Sequence, residues 1–175
     1  SDSKVGAIIN IGADVTNVSI YNKGIMIKNK ILEFGSKNID NDISYVYRVD
    51  GTTARSLKET FAVSNKKYTD SNDVVEIKSK VGEKLIINQY EISDVVESRL
   101  MEILKFAKNS INDLTKREIS YIIVTGGVSE MAGFQYVIEN VFGKIAVVHN
   151  ITNMGIRNNK YSSAIGLIKY FDYKM

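Results

Sequence analysis

Two short segments, far apart in the chain, carry the residue types that could hold a phosphorylated ligand. The first reads I-N-I-G-A-D-V-T over residues 9–16, and the second I-V-T-G-G-V-S over 123–129. In each, an apolar run leads into a glycine turn, where backbone N–H groups point outward and a ligand can approach closely. Gly12 and the Thr16 hydroxyl could wrap a phosphate, with Asn10 or Asp14 near a water-bound magnesium. Gly126, Gly127 and Val128 could bring the backbone against a flat ring. Each motif taken alone also reads as plain structure, the first as a hairpin turn and the second as a strand-to-helix turn. Together they suggest a phosphate and a nucleoside held from one side, which is half of a nucleotide site.

The elements that must position these turns follow from hydrophobic periodicity. Residues 5–11, 18–21 and 25–34 are β-branched and apolar, and Asn22-Lys23-Gly24 is a hairpin signal. They predict a three-stranded antiparallel meander. A helix is expected after Gly35-Ser36, with Ile39, Ile43, Val46 and Tyr47 on one face. Thr52 or Thr53 is expected to cap a second helix carrying Leu57 and Phe61. Two short strands at 74–77 and 84–88 precede the longest helix pattern. Asn88 caps that helix with Glu91 three residues on, and Ile92, Val95, Val96, Ile103, Ala107, Ile111 and Leu114 form its stripe. The last third alternates strand (121–124), helix (134–142), strand (145–149) and helix (161–171), which implies parallel strands with covering helices.

Composition narrows the function classes. The 175 residues fit one domain, or a domain with an insertion, and can bury a real core. Net charge is only +3, with the lysines scattered, so no nucleic-acid groove is expected. Cysteine is absent, which rules out disulfides and thiolate metal sites. No apolar run approaches the ~18 residues of a membrane span. His149 lacks a His, Cys or acid partner pattern and is not expected to be catalytic. Tyr161, Tyr170 and Phe171 sit at helical spacing and read as core.

In their order and spacing the motifs resemble the second half of the actin-like ATPase superfamily, and within it the FtsA family of bacterial cell-division proteins. The first turn resembles the superfamily's second phosphate motif, and residues 121–133 resemble its adenosine motif. Y-S-S-A-I-G-L at 161–167 resembles its closing helix. Gly155-Ile156-Arg157 and E-S-R-L-M-E-I at 97–103 look like FtsA rather than actin or the heat-shock chaperones. The resemblance implies an α/β, ribonuclease H-like actin-type subdomain at 4–50 and 115–172, with three antiparallel strands followed by parallel strands with helices. An inserted α+β subdomain at 51–114 would bind a partner peptide and form the upper nucleotide wall.

The family further implies ATP with magnesium as cofactor. Gly12, Ala13 and Thr16 would lie along the β- and γ-phosphates, and Gly126, Gly127 and Val128 would border adenine and ribose. Lys58 and Arg55 would face ribose and adenine; as bare sequence they read equally as surface charges. The chain departs from the family at Asn10, where an aspartate is usual, and at Asp14, where a second glycine is usual. Asn10 cannot supply the same charge to a metal or water, and Asp14 adds negative charge beside phosphate. Arg55 stands where an acidic residue is common.

The implied partners are the C-terminal peptide of the tubulin-like division protein FtsZ and further copies in actin-like filaments. Arg99 and Glu102 would lie on the peptide surface; the alternative pairs Arg99 with Glu97 or Glu102 on an exposed face. The expected location is cytoplasmic, at the inner face of the cell membrane at the division site. The membrane would be reached only through a segment beyond Met175. Because the family holds ATP between two similar domains, the chain is expected to be an excised fragment, inactive as an ATPase by itself, with Ser1-Asp2-Ser3 a linker remnant. Alternatives are a type IV pilus assembly adaptor of the same fold, or half of a sugar- or acid-kinase-type phosphotransferase.

Overall fold

The first strand, β1 (Lys4–Ile11), is buried over most of its length, as a strand in the middle of a sheet must be. It pairs antiparallel with β2 (Thr16–Asn22), which pairs antiparallel with β3 (Ile25–Leu32). The structure, a computed structural model, describes residues 4–149. The β2–β3 hairpin turns through Lys23 (φ 52°) and Gly24 (φ 78°), so the positive φ falls on Lys23 rather than on Asn22. Next come helices α1 (Lys37–Tyr47) and α2 (Gly51–Thr60), a short two-stranded sheet of β4 (Val74–Lys78) and β5 (Lys84–Asn88), and helix α3 (Gln89–Leu114). Strand β6 (Glu118–Thr125), helix α4 (Phe134–Phe142) and strand β7 (Ala146–Val148) complete the described chain.

Strand β6 inserts beside β1 in parallel, and β7 lies parallel to β6, giving the order β3-β2-β1-β6-β7. The mixed sheet is the one expected: an antiparallel meander joined to parallel strands with helices. Ala7, Ile9, Ile11, Val18, Ile20 and Val124 face one main core with α1, α3 and α4. Ile8, Tyr121 and Ile123 form a smaller cluster. Gly6 is required there, because a Cβ would stand 1.9 Å from the Tyr121 ring.

The helices follow their stripes. In α3, Ile92, Val96, Leu100, Ile103, Leu104, Ala107 and Ile111 are buried. Each of the Ile, Val and Leu side chains contributes roughly 1.5–3 kcal/mol relative to exposure. Asn88 caps α3 by accepting from the Glu91 amide at 3.1 Å. Two local expectations differ. Asp50, not Thr52 or Thr53, caps α2, its carboxylate accepting from the Thr53 amide at 2.7 Å. A carboxylate accepts more strongly than a hydroxyl, and hydrogen bonding from Thr53 holds the Asp50 pKa below its ordinary value. Val46 is exposed, and Val49 takes the buried place just past α1.

The segment 61–65 latches the middle of the chain to its last third. Ser64 donates from both its amide and its hydroxyl to the Ala132 carbonyl, at 3.0 and 2.7 Å. Gln89 Nε2 donates to the Phe61 carbonyl at 2.9 Å. The segments around Gly155 and 161–171, with Tyr161, Tyr170 and Phe171, lie outside the described residues.

Candidate functional site

Parallel pairing of β1 with β6 sets Asn10 opposite Thr125, so both strands end at the same edge of the sheet. The two glycine turns, remote in sequence, become neighbours there. Gly126 has φ +120°, and a Cβ on it would stand 2.1 Å from the Ile11 carbonyl oxygen. Ligands of open α/β sheets bind outside the carboxyl ends of the parallel strands. A cleft of about 980 Å³ opens at that edge, the size of a small-molecule site.

Six of the residues singled out from the sequence, Gly12, Ala13, Arg55, Lys58, Gly127 and Val128, line the cleft. Asn10, Asp14, Thr16 and Gly126 do not. Asn10 and Asp14 are exposed, and Gly126 lies beneath the turn against Ile11. Thr16 is fully buried, and its hydroxyl donates to the Phe34 carbonyl at 2.8 Å. That hydroxyl is spent on holding the turn.

The first turn is anchored by α1. The Ser36 and Lys37 amides donate to the Gly12 and Ala13 carbonyls at 2.8 and 2.9 Å. Gly35 permits the approach, since a Cβ there would stand 2.2 Å from the Gly12 oxygen. Gly12's own amide donates to the Val15 carbonyl at 2.9 Å. The amides of Ala13, Asp14 and Val15 have no such partner among the described residues. Of the three, Ala13 lines the cleft, where an open donor fits an anionic oxygen. The second turn is closed by Ser129, whose hydroxyl and amide donate to the Gly126 carbonyl at 2.6 and 3.0 Å.

Beside Lys58 and Arg55 the cleft wall holds Lys37, Asp40 and Glu59, which the sequence did not single out. Lys58 Nζ lies 2.6 Å from Asp40 Oδ1, with both side chains nearly buried, so the pair ties α1 to α2. Arg55 Nε is 2.9 Å from Glu59 Oε1 on the exposed face of α2. Lys37 Nζ is 3.5 Å from Asp14 Oδ1. Lys37 and Asp40 share one face of α1 by their spacing of three, a signal that hydrophobic periodicity alone passes over. The lining thus carries Lys37, Arg55 and Lys58 beside Asp40, Glu59 and Glu130, so a phosphorylated ligand would draw on whichever cation exchanges its carboxylate most readily.

Arg99 and Glu102 sit elsewhere, on α3. Arg99 forms a fork with Asp42, Nε to Oδ2 at 2.7 Å and Nη2 to Oδ1 at 2.9 Å, and lies 3.3 Å from Glu102. Glu97, the other candidate partner, instead accepts from the Lys66 amide at 2.8 Å. Nearby, Ser98, Met101, Glu102, Lys105, Phe106 and Asn109 line a shallow hollow of about 310 Å³. Where α1 and α3 run side by side, burial and the charges of Glu91 and Asp94 raise the Tyr47 pKa to about 12. His149 is buried just past β7, its amide donating to the Val124 carbonyl, and burial lowers its pKa.

The mixed sheet with its carboxyl-edge cleft defines an actin-like ATPase fold. MreB5 of Spiroplasma citri bound to ADP superposes with a TM-score of 0.72 at 14% identity, over 97% of this chain and 54% of that one. A PilM–PilN type IV pilus biogenesis complex gives a TM-score of 0.58 at 12% identity, over 98% and 45%. Within that class a sequence model described as "Cell division protein FtsA" matches residues 7–166, and the chain belongs to this family. The cell division protein FtsA of Staphylococcus epidermidis is 24% identical over 171 residues. That match takes in 96% of this chain but 37% of the relative, so the chain spans well under half the length of its relatives. No helix among the described residues is long and apolar enough to cross a membrane.

Proposed function

We propose that the chain forms one wall of the ATP site of an FtsA-like adaptor that tethers FtsZ filaments to the cytoplasmic face of the membrane at the division site. The observation that carries this reading is the convergence of the two glycine turns on one cleft, with Ala13, whose amide is open, in its lining. In this reading Gly12 and Ala13 present backbone to the β- and γ-phosphates, whose charge magnesium shares near Asn10 and Asp14. Thr16 keeps the turn in shape through Phe34. Gly126, Gly127 and Val128 form the adenine and ribose floor, and Arg55 and Lys58 the opposite wall. The opposite phosphate contacts belong to a second domain, so this chain alone holds half a site. The division into a nucleotide-binding unit at 4–50 and 115–172 and an inserted unit at 51–114 is part of the same proposal. So are actin-like self-association and membrane contact through a further segment.

The inserted unit would receive the acidic C-terminal peptide of FtsZ beside Arg99 and Glu102, with a peptide carboxylate exchanging for Asp42 on the guanidinium fork. A pilus adaptor would use the same fold for a different peptide, a reading for which the pilus complex offers a likeness of fold alone. Calorimetry on this chain with an FtsZ C-terminal peptide and a pilus-partner N-terminal peptide separates the two. Binding of the first is expected, and binding of only the second would overturn the division reading. ATP is expected to bind this chain weakly or not at all, and micromolar affinity would overturn the shared-site argument.

A further inference from the structure

The first turn places a carboxylate, Asp14, beside the three open amides, where it would repel a phosphate. Its charge is not left alone, because Lys37 Nζ lies 3.5 Å away. Lys37 opens α1, and its amide is already donated to the Ala13 carbonyl. The start of this helix therefore offers the cleft an ammonium rather than free N–H groups.

The three cations lining the cleft differ in how firmly they are held. Lys58 is buried and 2.6 Å from Asp40. Arg55 is hydrogen-bonded to Glu59 at 2.9 Å. Lys37 has the longest contact, at 3.5 Å; its side chain is 65% exposed, much like that of Arg55 at 69%, so distance rather than burial separates these two. An ion pair so exposed is heavily screened and exchanges readily with a competing anion. Of the three, Lys37 is thus the cation most easily released, and it stands next to the only carboxylate in the turn.

Resting on the nucleotide reading above, we propose that Lys37 is a phosphate-binding side chain for which Asp14 acts as a resident competitor. Without ligand, the Asp14 carboxylate neutralises Lys37. A terminal phosphate over the amides of residues 13–15 takes Lys37 over, and Asp14 swings into solvent. Lysine serves this role as a point charge on a flexible stem, needing no fixed fork geometry. The arrangement also accounts for an acidic residue being tolerated in a phosphate turn: its charge is matched while the site is empty of phosphate.

The test is equilibrium binding of ATP, adenosine and inorganic tripolyphosphate to the full-length protein, with Lys37→Gln, Asp14→Asn and the double variant. Both side chains are exposed, so circular dichroism should show unchanged folding. Lys37→Gln is expected to weaken ATP and tripolyphosphate by roughly tenfold, the scale of one charge-assisted bond, while adenosine binding stays unchanged. Asp14→Asn should strengthen both phosphorylated ligands several-fold when Lys37 is present and much less when it is absent. Equal effects of Lys37→Gln on adenosine and ATP would overturn the proposal, as would an Asp14→Asn effect that ignores residue 37. If wild-type protein binds ATP with an affinity indifferent to Lys37, this inference alone falls. If it binds none of the three ligands, the nucleotide reading falls with it.

Discussion

The two glycine turns share one edge of the sheet but are held there by different physics. The second is fixed by shape: Gly126 adopts φ +120° with no room for a Cβ above the Ile11 carbonyl, and Ser129 closes it from within. The first is fixed mainly by polar contacts reaching it from elsewhere, with Gly35 giving α1 the room to approach. The α1 amides hold its carbonyls, Phe34 holds Thr16, and Asp40 ties α1 in turn to Lys58 on α2. A sterically fixed turn suits a flat, invariant surface. A turn held by exchangeable polar contacts, with open amides and a screened ion pair, suits a ligand whose charge changes.

This contrast can be broken by substitution. The largest loss is expected from Asp40→Ala, which strands the buried Lys58 ammonium and should lower stability by about 3–5 kcal/mol in urea unfolding. A loss below about 1 kcal/mol would mean that Lys58 turns out to solvent and that α1 needs no tie to α2. Next comes Gly126→Ala, expected to remove about 2–4 kcal/mol through the clash with Ile11 and the unfavourable φ. Gly127→Ala, where a Cβ meets nothing within 4 Å, serves as the near-neutral control. If both alanine variants unfold alike, steric fixation is not what distinguishes the second turn. Thr16→Val keeps the shape but leaves the Phe34 carbonyl without its donor, for an expected loss of about 1–2 kcal/mol.

The smallest effect is one of pH and belongs to the second turn's side of the sheet. Burial lowers the His149 pKa from its ordinary 6.5, so the folded state disfavours the imidazolium. Protons bind the unfolded chain first as pH falls below that value. Stability is therefore full above 6.5 and declines as pH drops through the folded pKa. Replacing His149 by Gln should flatten that acid limb in denaturation curves recorded across the range. An unchanged limb would assign it to other groups.

Much of the fold was legible from local pattern. The meander, the Asn88 cap and the stripe of α3 follow from periodicity and capping chemistry, which act over a few residues. The glycines of both turns were legible too, since few other residues serve there. The caps and face assignments that differ, Asp50 for Thr52 or Thr53 and the exposed Val46, depend on competition between near-equivalent local choices. The cleft wall was less legible: Asp40 and Lys37 look like surface charges until α2 and the first turn are folded against α1. Arg99 was singled out from the sequence, but its strongest partner, Asp42, lies on another helix.

The sequence by itself determined which segments become strands, helices and glycine turns, because those outcomes depend on side-chain period, caps and backbone freedom within a few residues. Tertiary structure alone decided that the two turns meet, because that requires β6 to enter beside β1 in parallel and in register. It also decided which charges are free to serve a ligand. Burial sets Lys58 apart, and distance separates Arg55, at 2.9 Å from its carboxylate, from Lys37 at 3.5 Å; neither quantity exists until the chain has folded.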